Sequence, residues 1–404
     1  MTGSFHDRVM QMRSSTASGA SIQQRKEKIM RIETQCVHAG GFEDTLTGGI
    51  NTPIFTSSVY RYLETDIRIY PRYFNTPNQN AVLKKLCVLE GAEDGVLFSS
   101  GMAAITTVLM SLLSAGDHAV IQDDIYGGTH AFITGHFSRY GIGYTLVPND
   151  VEEVEGAIQP STRLIFIESP TNPLLKIMDI NGVAAVARKH GIVTVIDNTF
   201  ASPLNQNPLA FGIDIVLHSG TKYLGGHSDL CCGAVLSSGT LVEGVRKMAQ
   251  SLGGSLNALT CSLLERSLKT LSVRVERQTE NAAGIARFLA SHKRVKRVNY
   301  PGLESHPQHE IARSQMRGFG AMLSFDLDSG YVNSRQFLKK LTLITPAVSL
   351  GGVETIICEP ATTSHQKVSA EVRRRMGITD SLLRLSVGIE HVDDLIADLD
   401  QAMD

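Results

Sequence analysis

Leu217-His218-Ser219-Gly220-Thr221-Lys222-Tyr223-Leu224-Gly225-Gly226-His227-Ser228-Asp229 decides the reading of this chain. The apolar run Ile213 to Leu217 leads into it and reads as a buried parallel strand. A further apolar strand is expected from Cys231. A lysine just past the carboxyl end of a buried strand sits where open α/β sheets bind ligands. Two glycines behind it let the backbone approach a bulky group closely. Ser-x-Thr-Lys in that setting suits a lysine that forms a Schiff base, with hydroxyls aimed at a phosphate. On this stretch alone a solvated loop lysine is the stronger reading; the rest of the chain decides against it.

Upstream, the chain repeats one pattern of strand, polar loop, helix and strand. Gly95-Val96-Leu97-Phe98 reads as a strand, and Ser99-Ser100-Gly101-Met102-Ala103-Ala104 opens a long apolar helix. A helix N-terminus directly after a strand presents unpaired N–H groups and a dipole to an anion, although a plain Ser100 cap with no ligand fits equally well. Ala119-Val120-Ile121 leads to Tyr126-Gly127-Gly128, where the tyrosine ring can lie over a planar group or sit half-buried. Leu164-Ile165-Phe166-Ile167 ends in Glu168-Ser169-Pro170-Thr171-Asn172-Pro173, whose prolines fix an irregular loop and leave Asn172 as a polar finger. Ile192 to Ile196 ends in Asp197-Asn198-Thr199. An aspartate closing an apolar strand is costly unless paired. A protonated pyridine nitrogen would pair it, and a helix cap is the alternative. The candidates all fall at strand carboxyl ends of an α/β, mostly parallel sheet.

The totals agree with an enzyme of this kind. A chain of 404 residues exceeds one core and is expected to hold at least two domains. With 38 basic and 40 acidic residues, no field steers it to nucleic acid or an anionic membrane surface. No apolar run approaches the ~18–20 residues of a membrane span. Six scattered cysteines lack metal-ligand spacing and are expected to be buried reduced thiols, with no metal site and a cytoplasmic location. Residues 1–33 are expected to form a disordered extension; a transit segment is the less favoured reading. The non-helical run from Thr34 through Ile69-Tyr70-Pro71-Arg72-Tyr73 is an arm that could wrap a neighbouring subunit, and Pro71 and Pro77 exclude regular helix around them. Gln79 to Glu90 is a helix, Leu263 to Thr279 a long connecting helix, Ala282 to Leu289 another, and Ala321 to Leu327 a half-exposed strand.

Taken together these motifs resemble the fold-type I, pyridoxal-phosphate (PLP)-dependent enzymes of cysteine and methionine metabolism: cystathionine γ-synthase, the cystathionine lyases, methionine γ-lyase and O-acylhomoserine sulfhydrylases. The similarity runs from about Thr34 onward. It takes in Tyr60, Lys269-Thr270-Leu271, Tyr300-Pro301-Gly302-Leu303, Ser349-Leu350-Gly351-Gly352 and Arg384-Leu385-Ser386-Val387-Gly388-Ile389-Glu390, besides the loops already quoted. The resemblance implies an arm at 34–73, a large PLP-binding α/β domain at 74–262 and a smaller α+β domain at 263–404. It implies that Lys222 carries the cofactor and moves protons, that Asp197 pairs with the pyridine nitrogen, and that Tyr126 stacks on the ring. Ser100, Gly101, Met102, Ser219 and Thr221 would hold the phosphate, joined by Tyr70 and Arg72 of an adjacent subunit. Arg384 would bind the substrate α-carboxylate, with Asn172 and Ser349 placing substrate and lysine. A homotetramer acting on a small sulfur amino acid is implied as well.

The expected activity is a carbon–sulfur lyase, cystathionine γ-lyase-like, eliminating at the γ or β carbon to a 2-oxo acid, ammonia and a thiol. The alternative is γ-replacement on an O-acylhomoserine. The intact Lys222, Asp197 and Arg384 speak against an inactive PLP-fold protein, and no strand ends in the G-x-G-x-x-G turn of a dehydrogenase. Four positions depart from the family pattern. Pro71 replaces a serine, Gly128 stands where methionine γ-lyases carry cysteine, Ala131 stands where cystathionine γ-synthases and eukaryotic γ-lyases place an arginine, and Glu359 replaces a histidine.

Overall fold

The computed structural model describes residues 30–404 except 64, 329, 331, 365 and 367–369. Most of the extension at 1–33 therefore lies outside the described residues. The large sheet has seven strands: β1 (Asp94–Phe98), β2 (His118–Gln122), β3 (Gly143–Val147), β4 (Thr162–Glu168), β5 (Val193–Asp197), β6 (Ile215–Ser219) and β7 (Gly233–Ser237). Their order is β1-β7-β6-β5-β4-β2-β3. The run from β6 to β3 is parallel, and β7 alone is antiparallel to its neighbours β6 and β1. Successive side chains of a strand point to opposite faces. Leu164 and Phe166 of β4 pack with the helix Gly101–Leu112, whereas Ile165 and Ile167 pack with the helix Ile180–His190. Helices on both faces are why Leu164–Ile167 of β4 and Val195–Ile196 of β5 are apolar on both sides.

A second sheet has five strands, β8 (Val295–Asn299), β9 (Met322–Leu327), β10 (Thr345–Pro346), β11 (Ile356–Cys358) and β12 (Leu382–Ser386), in the order β10-β11-β12-β9-β8. One apolar core joins it to the first sheet. That core runs from Leu86 and Leu97 through Tyr223 and Leu224, beneath the Lys222 loop, to Ile285, Leu323 and Leu385. The helix Leu271–Ser291 sends Leu271, Val275, Ala282, Ile285, Ala286 and Leu289 into it at helical spacing. Each large apolar side chain buried there contributes about 1.5–3 kcal/mol.

Several local expectations change. Ile32–His38 is helical rather than extended, because Cys36 is buried in the core and the Lys85 ammonium donates to the carbonyls of Cys36 and Val37 at 2.8 and 3.2 Å. Pro77 does not exclude helix: it occupies the first position of the helix Pro77–Glu90, where a missing N–H costs nothing, behind a Thr76–Gln79 capping box. Pro71 likewise opens a short 3-10 turn, Pro71–Tyr73. The connecting helix breaks at Lys269–Thr270, giving Ala258–Leu268 and Leu271–Ser291. Strand β9 is buried on both faces, since Ser324 is bonded to Asn299 and Asp326 to Arg297. All six cysteines are free thiols, but Cys231 is exposed and Cys87 only half-buried.

Candidate active site

Three adjacent strand ends, at Glu168 of β4, Asp197 of β5 and Ser219 of β6, face the loops before β11 and β12. Ser100 caps the helix Gly101–Leu112, its hydroxyl accepting the Ala103 N–H at 3.1 Å. Gly101 is packed so tightly on Ser219 that a Cβ there would stand 2.8 Å from the serine Cβ. The helix N-terminus, with its unpaired donors, thus opens beside Ser219. Met102 borders the same place: a Cβ on Gly128 would lie 3.0 Å from the Met102 sulfur and 2.5 Å from the Tyr126 ring. The Thr221 hydroxyl is bonded to the backbone of Cys232, accepting its N–H at 3.1 Å and donating to its carbonyl at 3.2 Å.

Lys222 lies across from the second sheet. Its Nζ donates to Ser349 Oγ at 2.7 Å. Burial, and after it the Arg384 charge, hold the amine below the ordinary lysine range. Arg384, on β12, donates from Nη1 to Asn172 Oδ1 at 2.9 Å and from Nη2 to the Ser349 carbonyl at 3.0 Å. Its Nε is buried with no acceptor, and no carboxylate of the described residues pairs with the guanidinium. A buried, unneutralised fork of this kind suits a carboxylate from outside the chain.

The complementary charge is Asp197, buried at the end of β5. Its Oδ1 accepts the N–H and hydroxyl of Thr199 at 3.0 and 2.5 Å, while Oδ2 accepts no hydrogen bond from the described residues. Burial raises its pKa, against the two Thr199 hydrogen bonds and the His218 charge, which lower it. Thr199 also accepts the Ser219 N–H at 2.8 Å, so the aspartate and the anion cradle share one hydroxyl. Tyr126 is 42% exposed, with its ring against Gly128 and its N–H on Glu168.

The sequence-derived candidates Ser100, Gly101, Met102, Tyr126, Asn172, Asp197, Ser219, Thr221, Lys222, Ser349 and Arg384 thus gather around one space. Tyr70 and Arg72 do not join them within the chain. Arg72 donates to the Gln250 carbonyl at 2.6 Å and stacks on Tyr70 and Tyr73, beside exposed Tyr62. Sequence reasoning gave no role to Thr199 or Glu168, although Glu168 closes an apolar strand just as Asp197 does. Glu359 now has a structural account: it accepts from Ser334 Oγ at 2.6 Å and Thr362 Oγ1 at 3.2 Å, tying its loop to the helix Ser334–Lys340.

These groups suit pyridoxal phosphate. A buried carboxylate with a free oxygen, a low-pKa lysine and a helix N-terminus beside serine match its ring nitrogen, aldehyde and phosphate, and a carboxylate-free arginine remains for an amino acid. Comparison with known proteins agrees. The family described as Cys/Met metabolism PLP-dependent enzyme matches residues 33–404. The chain is 45% identical to cystathionine gamma-lyase of Bacillus subtilis (strain 168), over 93% of this chain and 100% of that protein. It is 42% identical to cystathionine beta-lyase of Lactococcus lactis subsp. cremoris (strain MG1363), over 92% and 99%. Its fold matches the crystal structure of cystathionine gamma-lyase from Lactobacillus plantarum complexed with L-serine, with a TM-score of 0.89 and 42% identity over 92% of this chain and 98% of that one.

Proposed function

The chain belongs to the Cys/Met metabolism PLP-dependent enzymes, and within that family we propose that it is a carbon–sulfur lyase of transsulfuration, cystathionine γ-lyase-like in its main reaction. The observation that carries this is the buried Arg384 fork, without an acid of its own, beside Lys222 and across from buried Asp197. Cystathionine and water would give cysteine, 2-oxobutanoate and ammonia. Curated relatives at similar identity include both γ- and β-lyases, so pyruvate and homocysteine are the products of the nearest rival reaction.

Asp197 would hold the ring nitrogen of the cofactor, and the Gly101 helix N-terminus with Ser100, Met102, Ser219 and Thr221 its phosphate. When bound, the cofactor supplies an electron sink for the charge left on the substrate α-carbon. Arg384 and Asn172 fix the substrate carboxylate and thereby aim the α-hydrogen at Lys222. The lysine amine, lowered by burial and by Arg384, is deprotonated more readily than a surface lysine and accepts that proton. It then carries protons to later carbons, with Ser349 Oγ holding it in reach. Tyr126 would cover the cofactor ring and assist proton transfer to the leaving sulfur.

The same reading divides the chain into an arm at 34–73, a cofactor-binding part at 74–262 and a closing part at 263–404. It gives Tyr70 and Arg72 to the phosphate of a neighbouring copy. Leu46, Ile50, Val59, Leu63 and Ile67, each more than two-thirds exposed in the single chain, support an arm that is covered in a homo-oligomer, which we take to be a tetramer in the cytoplasm. No helix among the described residues is long and apolar enough to cross a membrane.

Product analysis of the purified holoenzyme tests the proposal. Cystathionine, methionine, cysteine and O-succinylhomoserine, the last with and without cysteine, are the substrates to offer. 2-Oxobutanoate with cysteine is expected from cystathionine. Cystathionine formed from the acyl ester, with no cleavage of cystathionine, would replace the lyase by γ-replacement.

A further inference from the structure

Glu168 ends β4 with both carboxylate oxygens committed to the backbone of two separate loops. Oε2 accepts the N–H of Tyr126 at 2.7 Å, and Oε1 accepts the N–H of Asn172 at 3.1 Å. Its own N–H donates to Gln122 Oε1 at 3.0 Å, which fixes the strand end beneath it. From Asn172 the contacts continue through Arg384 and Ser349 to Lys222. One carboxylate therefore stands where the loop bearing the stacking ring meets the loop bearing the carboxylate clamp.

The placement is expensive. Glu168 is paired in register with Asp197 on the neighbouring strand, and Asp124 is a third buried acid nearby. Lys176, 3.0 Å from Asp124, is the ion-pair partner within this group. Burial and the Asp197 charge raise the Glu168 pKa well above the carboxylate range, while the two N–H groups oppose that rise. An apolar residue would close β4 at far lower cost. It could not, however, hold two N–H groups from different loops at once.

Building on the lyase reading above, we propose that Glu168 is a positioning residue, a two-armed acceptor that keeps the Tyr126 ring and the Asn172–Arg384 clamp in one geometry. Cofactor ring and substrate carboxylate are then held in mutual register by a single buried side chain.

The test uses the holoenzyme and the variants Glu168→Gln, Asn172→Ala and their combination. Glutamine keeps the shape but turns one acceptor into an NH₂ that faces an N–H, so one arm is lost. E168Q is expected to keep its cofactor absorbance, while the visible circular dichroism of that band, which reads ring orientation, falls at least about twofold. The glycine concentration that half-shifts the band should rise about 10- to 100-fold, in line with leaving one buried loop N–H without its acceptor. In the N172A background, E168Q should add less than about threefold to that concentration, because its effect passes through Asn172. Unchanged dichroism and glycine response, or fully additive effects, would overturn the proposal. Should E168Q not fold, Glu168→Asp, too short to reach both loops, is measured in its place; failure of both to fold would make the role one of stability and also overturn the proposal. Dichroism and glycine titration need no turnover. A wild-type enzyme that cleaves no sulfur amino acid would therefore sink the lyase reading while leaving Glu168 measurable.

Discussion

Ser349 accepts the hydrogen bond of Lys222 from a backbone at φ +99°, in the left-handed region that a serine rarely adopts. Its carbonyl is held by Arg384, and two residues on Gly351 turns at φ +75° with its Cα against the lysine loop. A Cβ at 351 would lie 2.7 Å from Tyr223 N and 3.0 Å from the Lys222 carbonyl carbon. Gly351→Ala is therefore expected to push the Ser349 loop away from Lys222. A strain of about 1–3 kcal/mol at the site corresponds to roughly a 5- to 150-fold loss in kcat/KM. Steady-state kinetics of G351A beside the wild type checks it, and unchanged kinetics would show that the loop yields freely.

Lys222 should be the most reactive lysine of the apoprotein toward an amine-directed acylating reagent just above neutral pH. Its pKa is lowered first by burial and then by the Arg384 charge, so its proton leaves at a lower pH than that of an ordinary lysine side chain, with exposed Lys293 as the internal comparison. Arg384→Gln removes the second cause and should move the reactivity midpoint of Lys222 upward. In the holoenzyme the same variant should lose about 10²–10³-fold in kcat/KM for an amino acid, as expected when one partner of a buried charge pair is removed. Mass-spectrometric labelling across pH reads the first effect; a Lys222 profile that matches Lys293 would refute it.

Glu90 and His218 meet behind the cofactor loops at 2.5 Å, and the same carboxylate accepts from Asn198 at 3.1 Å and Asn207 at 3.1 Å. It ties the loop after β5 to the strand before Lys222. Glu90→Ala would leave His218 and one N–H of each asparagine without an acceptor, although Asn198 keeps the Gln206 carbonyl and Asn207 that of Leu89. His218→Ala leaves both asparagines satisfied. E90A should therefore cost about 3–5 kcal/mol and H218A about 1–3 kcal/mol. Urea denaturation of both variants decides it; equal losses would mean that the asparagines contribute nothing.

His306 gives a pH dependence of stability. Burial lowers its pKa from 6.5 to about 4. Between those values the unfolded chain binds the proton and the folded chain does not. Stability is fully present above about 6.5 and falls as the pH drops toward about 4, by about 2 kcal/mol once partial screening is allowed for. His306→Asn should flatten that part of the curve, read from urea midpoints across the interval.

The large sheet was legible because helices on both faces make the middle of β4 and β5 apolar on both sides, and polar residues ending such runs stand out. Arg384 was marked by the family resemblance, whereas Asp197 and Lys222 were both found as charges where an apolar strand stops. Glu168 sends the same signal, but inside a proline-rich loop motif it read as part of the turn. The Ile32–His38 helix and the two-faced burial of β9 were hidden because distant partners make them. Lys85 holds the first, and Arg297 and Asn299 satisfy the polar face of the second. Local pattern carries no trace of contacts that only tertiary packing supplies. Tyr70 and Arg72 keep their spacing in the sequence, but within one chain Arg72 bonds the Gln250 carbonyl and stacks on Tyr70 instead.

The hydrogen-bonded line from Asn172 through Arg384 and Ser349 to Lys222 also sets an order of events during synthesis. At ~5–20 residues per second, β12 emerges roughly ten to thirty seconds after the lysine it serves. Until Ser349 emerges, β6 and its loop can form while the lysine lacks both its serine and the arginine that helps to lower its pKa; after that only the arginine is missing. A ribosome stalled before Arg384 would thus release a chain with the amine in place and no grip on a substrate. Completion of β12 is the step that turns a cofactor-holding fold into an amino-acid site.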